Sequence, residues 1–376
     1  MTHPHLATPA GRVRARALGV PFDGAPGANN AITDVAGVEI GYATIIAGEG
    51  ALVVGRGPVR TGVTAILPRG RADVATPVFA GAFSLNGNGE LSGLHWVEES
   101  GQCEGPITIT NTHSCGLARD ATIRWLHRAV PDQMSAWGLP VAGETYDGEL
   151  NDINGFHVTT EHVFAAIDGA RGGPIELGSV GGGTGMIAYD FKGGSGSASR
   201  VAATEAGAFT VGAFVQANFG ARRELIVAGV PVGRHLPGGE VRSRPGGSII
   251  AIVATDAPLM PHQLKRLSRR VALGVGRSGS VSHNGSGDIF LALSTANRAA
   301  LATDAPRRDL AYLANDALDP LFTAVVEATD EAVIDAMVAN QAMTGRDGTT
   351  VRALPHDRLR ALLRRYNRLA EAGGDG

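Results

Sequence analysis

The chain has 376 residues with 33 Lys plus Arg against 36 Asp plus Glu, a formal net charge of −3. No surplus of either sign therefore argues for nucleic acid or an anionic membrane surface, and a small, roughly neutral partner fits better. The two cysteines, Cys103 and Cys115, form no Cys-x-x-Cys pair, which speaks against a disulfide framework or a cysteine zinc site and fits a reducing cytoplasm.

The N-terminal MTHPHLATPAGRVRARALGV has basic residues but no apolar run long enough for a signal sequence, and no segment approaches about eighteen uninterrupted apolar residues. The expectation is a soluble cytoplasmic protein with no membrane partner. Residues 28–80 alternate β-rich runs with turns: GVEIGYATII, ALVVGRG and TGVTAILP predict strands joined by hairpins or short loops. PITITNT reads as a strand that feeds a helix over 115–130, where Leu117, Ala121, Ile123, Trp125, Leu126 and Val130 recur near helical spacing.

Further on, AGAFTVGAFVQANFGAR (206–222), IIAIVATD and DIFLALSTA (288–296) predict buried strands. A helix is predicted over 261–277, begun near Pro261 and ended by glycine, and another over 329–343, capped by Thr329 or Asp330. From His356, Leu359, Leu362, Leu363, Tyr366 and Leu369 share one helical face before a fraying Gly-Gly-Asp-Gly tail. With no linker and no internal repeat, one body over 1–376 is expected.

Common catalytic patterns are missing. GTGMIA from Gly183 fits a dinucleotide fingerprint by letters, but the glycine-rich YDFKGGSGSAS that follows cannot supply the helix whose N-terminus would face a pyrophosphate. There is no Walker lysine motif, no Gly-x-Ser-x-Gly elbow and no His-Glu-x-x-His helix. Lysine occurs only at 192 and 265, and His113 and His283 stand isolated in polar loops, so neither lysine chemistry nor a metal site is indicated. The arginines at 266, 269 and 270 read as a solvated helix face.

One junction stands out. In SRPGGSIIAIVATDAPL (243–259), the turn formers Pro245, Gly246 and Gly247 run directly into a core strand whose first residue is Ser248. A cut between Gly247 and Ser248 would give that serine both a hydroxyl and a free α-amine. An α-amine titrates at about 7.7–8.0, so it can serve as general base for its own hydroxyl at neutral pH, as in N-terminal nucleophiles. The flanking glycines suit the cut, because attack of the Ser248 hydroxyl on the Gly247 carbonyl needs a bare, distortable peptide.

RPGGSIIAIVATDAPL, VSHNGSGDIFLALSTAN, LPVAGETYDGELNDING, GSVGGGTGMIAYDFKGGSGSAS and QANFGARREL together resemble the family of β-aminopeptidases and the L-aminopeptidase/D-Ala-esterase/amidase. NAITDVAGVEIGYATI and NTHSCGLARDATIRW extend the resemblance over most of the chain. It implies a mixed α/β fold, a four-layer α-β-β-α sandwich, and a precursor that cleaves itself into 1–247 and 248–376. It also implies removal of N-terminal residues from short peptides, amides or esters, with no cofactor and no metal, and a homo-oligomer, a tetramer in the family.

By the same resemblance, Ser248 matches the nucleophile, Ser286 and Asp288 the hydroxyl and acid around it and its amine, and Asn218 an oxyanion donor. Tyr146 matches a tyrosine of the same site, and Glu144 suits a substrate's charged N-terminus. Taken alone, Asn218 reads as a strand-end turn residue, Tyr146 as a wedge between sheets and Glu144 as a solvated loop acid. Two other functions stay open: an acyltransferase like the similarly folded, self-cleaving ornithine acetyltransferases, which use threonine where Ser248 stands, and an uncut binding protein.

Overall fold

In chain order the strands are β1 (Glu39–Ala47), β2 (Val59–Leu67), β3 (Val78–Gly87), β4 (Gln102–Cys103), β5 (Ile107–Asn111) and β6 (Ala142–Thr145). A small hairpin, β7 (Ile187–Ala188) and β8 (Phe191–Lys192), precedes β9 (Gly194–Thr204), β10 (Gly207–Asn218), β11 (Ser248–Thr255) and β12 (Gly287–Ser294). The helices are α1 (Leu94–Ser100), α2 (Cys115–Ala129), α3 (Thr160–Asp168), α4 (Val232–His235), α5 (Pro261–Arg277), α6 (Arg298–Leu301), α7 (Asp319–Val338) and α8 (His356–Arg365). The structure is a computed structural model describing residues 3–131, 137–242 and 246–370. Pro245 of the expected turn and the Gly-Gly-Asp-Gly tail lie outside the described residues.

Two mixed sheets result, a four-stranded one in the order β1-β2-β5-β6 and a six-stranded one in the order β4-β3-β12-β11-β10-β9. The unbroken apolar run of β11 has a simple cause: both faces of its sheet are covered. Ile249, Ala251 and Val253 join Leu264, Leu267 and Val271 of α5 and Val325 and Ala328 of α7 in one cluster. Ile250, Ile252 and Ala254 join Ile66, Ile107 and Ile109 of the facing sheet in another. On the outer side of that sheet, Val63, Ala65 and Leu67 pack with Ala118, Ala121 and Trp125 of α2 and with Val163, Ala166 and Ile167 of α3. The layers are α-β-β-α, as expected. No described helix is long and apolar enough to cross a membrane.

Four expected details are corrected, while the 261–277 bounds expected for α5 hold. ALVVGRG is a turn rather than a strand: Val53 and Val54 are exposed, Val53 and Gly57 bond each other across it, and the Asp152 carboxylate accepts from the Gly55 and Gly57 N–H groups, so the segment closes on itself instead of joining a sheet. Helix α5 runs through its glycines to a Ser278 cap. Gly274 faces α7 so closely that a Cβ there would stand 2.6 Å from Thr329 Cβ. Helix α7 begins ten residues before the expected cap, because Pro320 sits in the first turn, where no N–H is needed, and Thr329 is buried mid-helix. It ends at Val338 rather than 343. Helix α8 stops at Arg365, with Asn367 left-handed at φ +54°.

Register sets what meets at one end of the large sheet. β10 and β11 are antiparallel, with Asn218 opposite Ser248. β11 and β12 are parallel, with Ile249 opposite Asp288. The end of β10 and the starts of β11 and β12 therefore converge, beneath the end of β6.

Candidate active site

Ser248 is the buried first residue of β11, and its Oγ accepts a hydrogen bond from the Gly287 N–H at 3.1 Å. The Asn218 side chain is held on both sides. Its Oδ1 accepts from the Ile187 N–H at 2.9 Å and from Arg242 Nη2 at 2.7 Å, and its Nδ2 donates to the Tyr146 carbonyl at 2.7 Å. Donors on the oxygen and an acceptor on the nitrogen fix the amide orientation and leave one N–H unspent.

Ser286, buried just before β12, donates through Oγ to the Gly247 carbonyl, the acyl side of the junction, and lies 2.8 Å from Asp288 Oδ1. One hydroxyl proton cannot serve two acceptors. Both contacts are satisfied when Asp288 carries a proton and donates to Ser286. Burial pushes the Asp288 carboxyl up toward that state, against the opposing hydrogen bonds of Ser282 and Ser286.

Gly247 has φ +103°, and a Cβ on it would stand 1.8 Å from the Asn218 carbonyl oxygen. Only glycine fits this position, which ties the junction to the end of β10.

A cavity of about 760 Å³ opens over Ser248, lined among others by Glu90, Glu144, Tyr146, Glu149 and Arg242. Glu144 is 3% exposed and belongs to β6, which corrects its reading as a solvated loop acid. The Glu90 N–H donates to its Oε1 at 3.0 Å and the Thr112 hydroxyl to its Oε2. Burial raises its carboxyl, and these two donors pull it back. Tyr146 is half-exposed at the rim, and burial with Glu149 nearby raises its phenol. A Cβ on Gly148 would stand 2.3 Å from its ring.

The structure thus brings Ser248, Asn218, Ser286, Asp288, Tyr146 and Glu144 to one end of the two sheets. Sequence reasoning missed Glu90, Glu149 and Arg242. Glu149 was within sight, three residues after Tyr146, but Arg242 lies in a loop with no periodicity to mark it. His283 pairs with Glu224 at 2.8 Å and His113 stacks on Phe156.

Asp147, next to Tyr146 in the chain, is fully buried. Asn151 donates to its Oδ1 at 3.0 Å, while Oδ2 has no hydrogen-bond partner among the described residues. Burial, opposed by contacts with Thr61 and Asn151, pushes its carboxyl up to about 7. An unfolded aspartate titrates at about 3.9, so between these values the folded chain holds a proton that the unfolded chain releases. Stability from this group therefore falls as pH rises through that window. Asp147→Asn is expected to flatten the fall in Tm between pH 5 and pH 8, read by calorimetry of both proteins. Equal slopes would rule the assignment out.

An α-β-β-α sandwich with a serine hydroxyl heading a core strand is the arrangement of hydrolases of the N-terminal nucleophile (Ntn) type. The comparisons agree. The model of peptidase family S58 matches residues 30–351, and the β-peptidyl aminopeptidase BapA of Sphingosinicella microcystinivorans is 52% identical over 96% of this chain and 94% of its own. The L-aminopeptidase D-Ala-esterase/amidase of Ochrobactrum anthropi, a prototype serine aminopeptidase with a variant Ntn hydrolase fold, superposes with a TM-score of 0.90 at 50% identity. That match covers 95% of this chain and 99% of the other. A Burkholderia sp. β-aminopeptidase superposes at 0.85 with 45% identity, over 94% and 99% of the two chains. The chain belongs to peptidase family S58, and it is a serine aminopeptidase.

Proposed function

We propose that the protein matures by cutting its own Gly247–Ser248 bond and then removes the N-terminal residue from short peptides, amino-acid amides or esters. In the first event Ser248 Oγ attacks the Gly247 carbonyl carbon, its proton passes to the peptide nitrogen and the C–N bond breaks, the nitrogen becoming the α-amine of Ser248. Water then hydrolyses the resulting ester, leaving a Gly247 carboxylate on chain 1–247 and a free hydroxyl on chain 248–376.

In turnover the α-amine takes the Ser248 proton, the hydroxyl attacks the substrate carbonyl, and the remaining Asn218 N–H meets the oxyanion. Water releases the acyl group. Ser286 and Asp288 hold the new amine and relay its proton. Glu144 receives the substrate's ammonium, and Tyr146 borders the entering residue. Small β-, D- or L-residues are the substrates in view, since relatives bear the names β-peptidyl aminopeptidase and D-Ala-esterase.

The observation that carries this reading is the hydrogen bond from Ser286 to the Gly247 carbonyl beside the Ser248 hydroxyl. A tetramer enclosing its sites follows from the family resemblance. Two free, buried cysteines support a reducing cytoplasm.

The test is the intact mass of the purified wild-type protein under denaturing conditions, with hydrolysis of an aminoacyl p-nitroanilide alongside. Two masses, matching 1–247 and 248–376, are expected. One uncut chain after long incubation would overturn self-cleavage and, with it, the α-amine as general base. Adding a competing amine separates hydrolysis from acyl transfer, because free acid is the expected product.

A further inference from the structure

We infer that Arg242 is a positioning residue for self-cleavage, gripping the peptide just before the junction and the Asn218 amide in one guanidinium fork; this rests on the self-cleavage proposed above. Its side chain is 7% exposed although it belongs to no helix or strand. Nε donates to Glu149 Oε1 at 3.1 Å, Nη2 to Asn218 Oδ1 at 2.7 Å, and Nη1 to the Gly246 carbonyl at 3.1 Å and the Asn218 carbonyl at 3.4 Å. The fork thus joins the loop after β6, the end of β10 and the carbonyl one residue upstream of the reacting one.

The amide orientation does not depend on it, since the Ile187 N–H and the Tyr146 carbonyl already set that. Arg242 adds two things. Its positive charge on Oδ1 polarises the amide and strengthens the remaining Nδ2–H as a donor. Its hold on Gly246 fixes where the Gly247 carbonyl sits relative to that donor and to Ser248, and small errors in such placement slow a reaction steeply. Gly247 is packed tightly enough for this to matter: a Cβ there would stand 2.7 Å from Arg242 Nη1. A lysine ammonium, a compact point charge on a flexible stem, does not reproduce a planar fork.

Once the bond is cut, Gly247 ends a separate chain and its placement no longer bears on turnover. The effect is therefore concentrated on the first event. The experiment follows the uncut-to-cut ratio by gel after cell-free synthesis of the full chain. Arg242→Ala is expected to slow the cut at least about tenfold, Arg242→Lys to stay nearer alanine than wild type, and millimolar methylguanidine to speed the alanine variant. A general packing defect would not respond to methylguanidine.

Material that has finally been cut is expected to lose less: kcat on an aminoacyl p-nitroanilide falls by a smaller factor than the rate of the cut, because the Asn218 amide keeps its backbone partners and loses only the polarising charge. Cleavage of Arg242→Ala at the wild-type rate, or full recovery in Arg242→Lys, would overturn the inference while leaving self-cleavage standing. A wild-type chain that is never cut removes both.

Discussion

Ser248→Ala is expected to leave one uncut chain and to lower hydrolysis of an aminoacyl amide by about 10⁴-fold or more, the scale seen when a serine nucleophile is deleted. Two losses coincide in this variant. Without the hydroxyl nothing attacks the Gly247 carbonyl, and without the cut no α-amine exists to act as base. The change itself is small, since Ser248 loses only its contact from the Gly287 N–H and the strand on either side of it is apolar and buried. The variant should therefore fold and assemble as wild type does, which gel filtration and a melting curve check. If Ser248→Ala is still cut after Gly247, the attacking group lies elsewhere and the proposed mechanism fails.

Asn218→Ala is expected to lower kcat by about 10²–10³ with little change in KM, as for removal of an oxyanion donor. The KM–kcat split separates this from damage to the pocket, because the oxyanion develops in the transition state and not in the bound substrate. The substitution also leaves the Ile187 N–H and Arg242 without their acceptor, a cost of about 1–3 kcal/mol in stability. A lower Tm is thus expected too, and kcat is to be compared well below it. Asn218→Asp is informative beside it: it keeps an oxygen for Ile187 and Arg242 but sets a second oxygen against the Tyr146 carbonyl in place of the donor. A kcat near wild type in both variants would leave the oxyanion to another group, with the Gly287 N–H next in line.

A pH dependence of the proposed self-cleavage follows from the same geometry. Ser286 bonds both the Gly247 carbonyl and Asp288, and the pair is complete while Asp288 is protonated, the form that burial favours.

Much of the protein was legible in its residues, for identifiable reasons. Strand β11 was readable because five consecutive apolar β-formers follow a turn, and helix α5 because Pro261 and the spacing of Leu264, Leu267 and Val271 mark its start and inner face. The Gly247–Ser248 junction could be singled out because glycine beside a strand-heading serine is a chemical pattern and not only a structural one; the cut there is the proposal above. ALVVGRG misled because valines imply a strand only where a partner strand exists, and here the segment turns back on itself, with Val53 bonded to Gly57 and Asp152 accepting from Gly55 and Gly57. The start of α7 was missed because Thr329 and Asp330 resemble a cap, while the packing of Thr329 against Gly274 is a contact between helices far apart in sequence.

By itself the sequence determined where the apolar strands and helices run and singled out Ser248 behind two glycines, since these depend on local periodicity and glycine placement, while the layer order came from the family resemblance. Only the tertiary structure shows how the residues named by that resemblance come together and adds Glu90, Glu149 and Arg242 to them. The antiparallel pairing of β10 with β11 and the parallel pairing of β11 with β12 bring Asn218, Ser248 and Asp288 to one edge. The facing sheet then lowers Glu144 and Tyr146 onto it and leaves Arg242 clasped between them. Pairings of this kind are set by the burial of whole faces, Ile250 and Ile252 against Ile66, Ile107 and Ile109, a condition that no local stretch of chain contains.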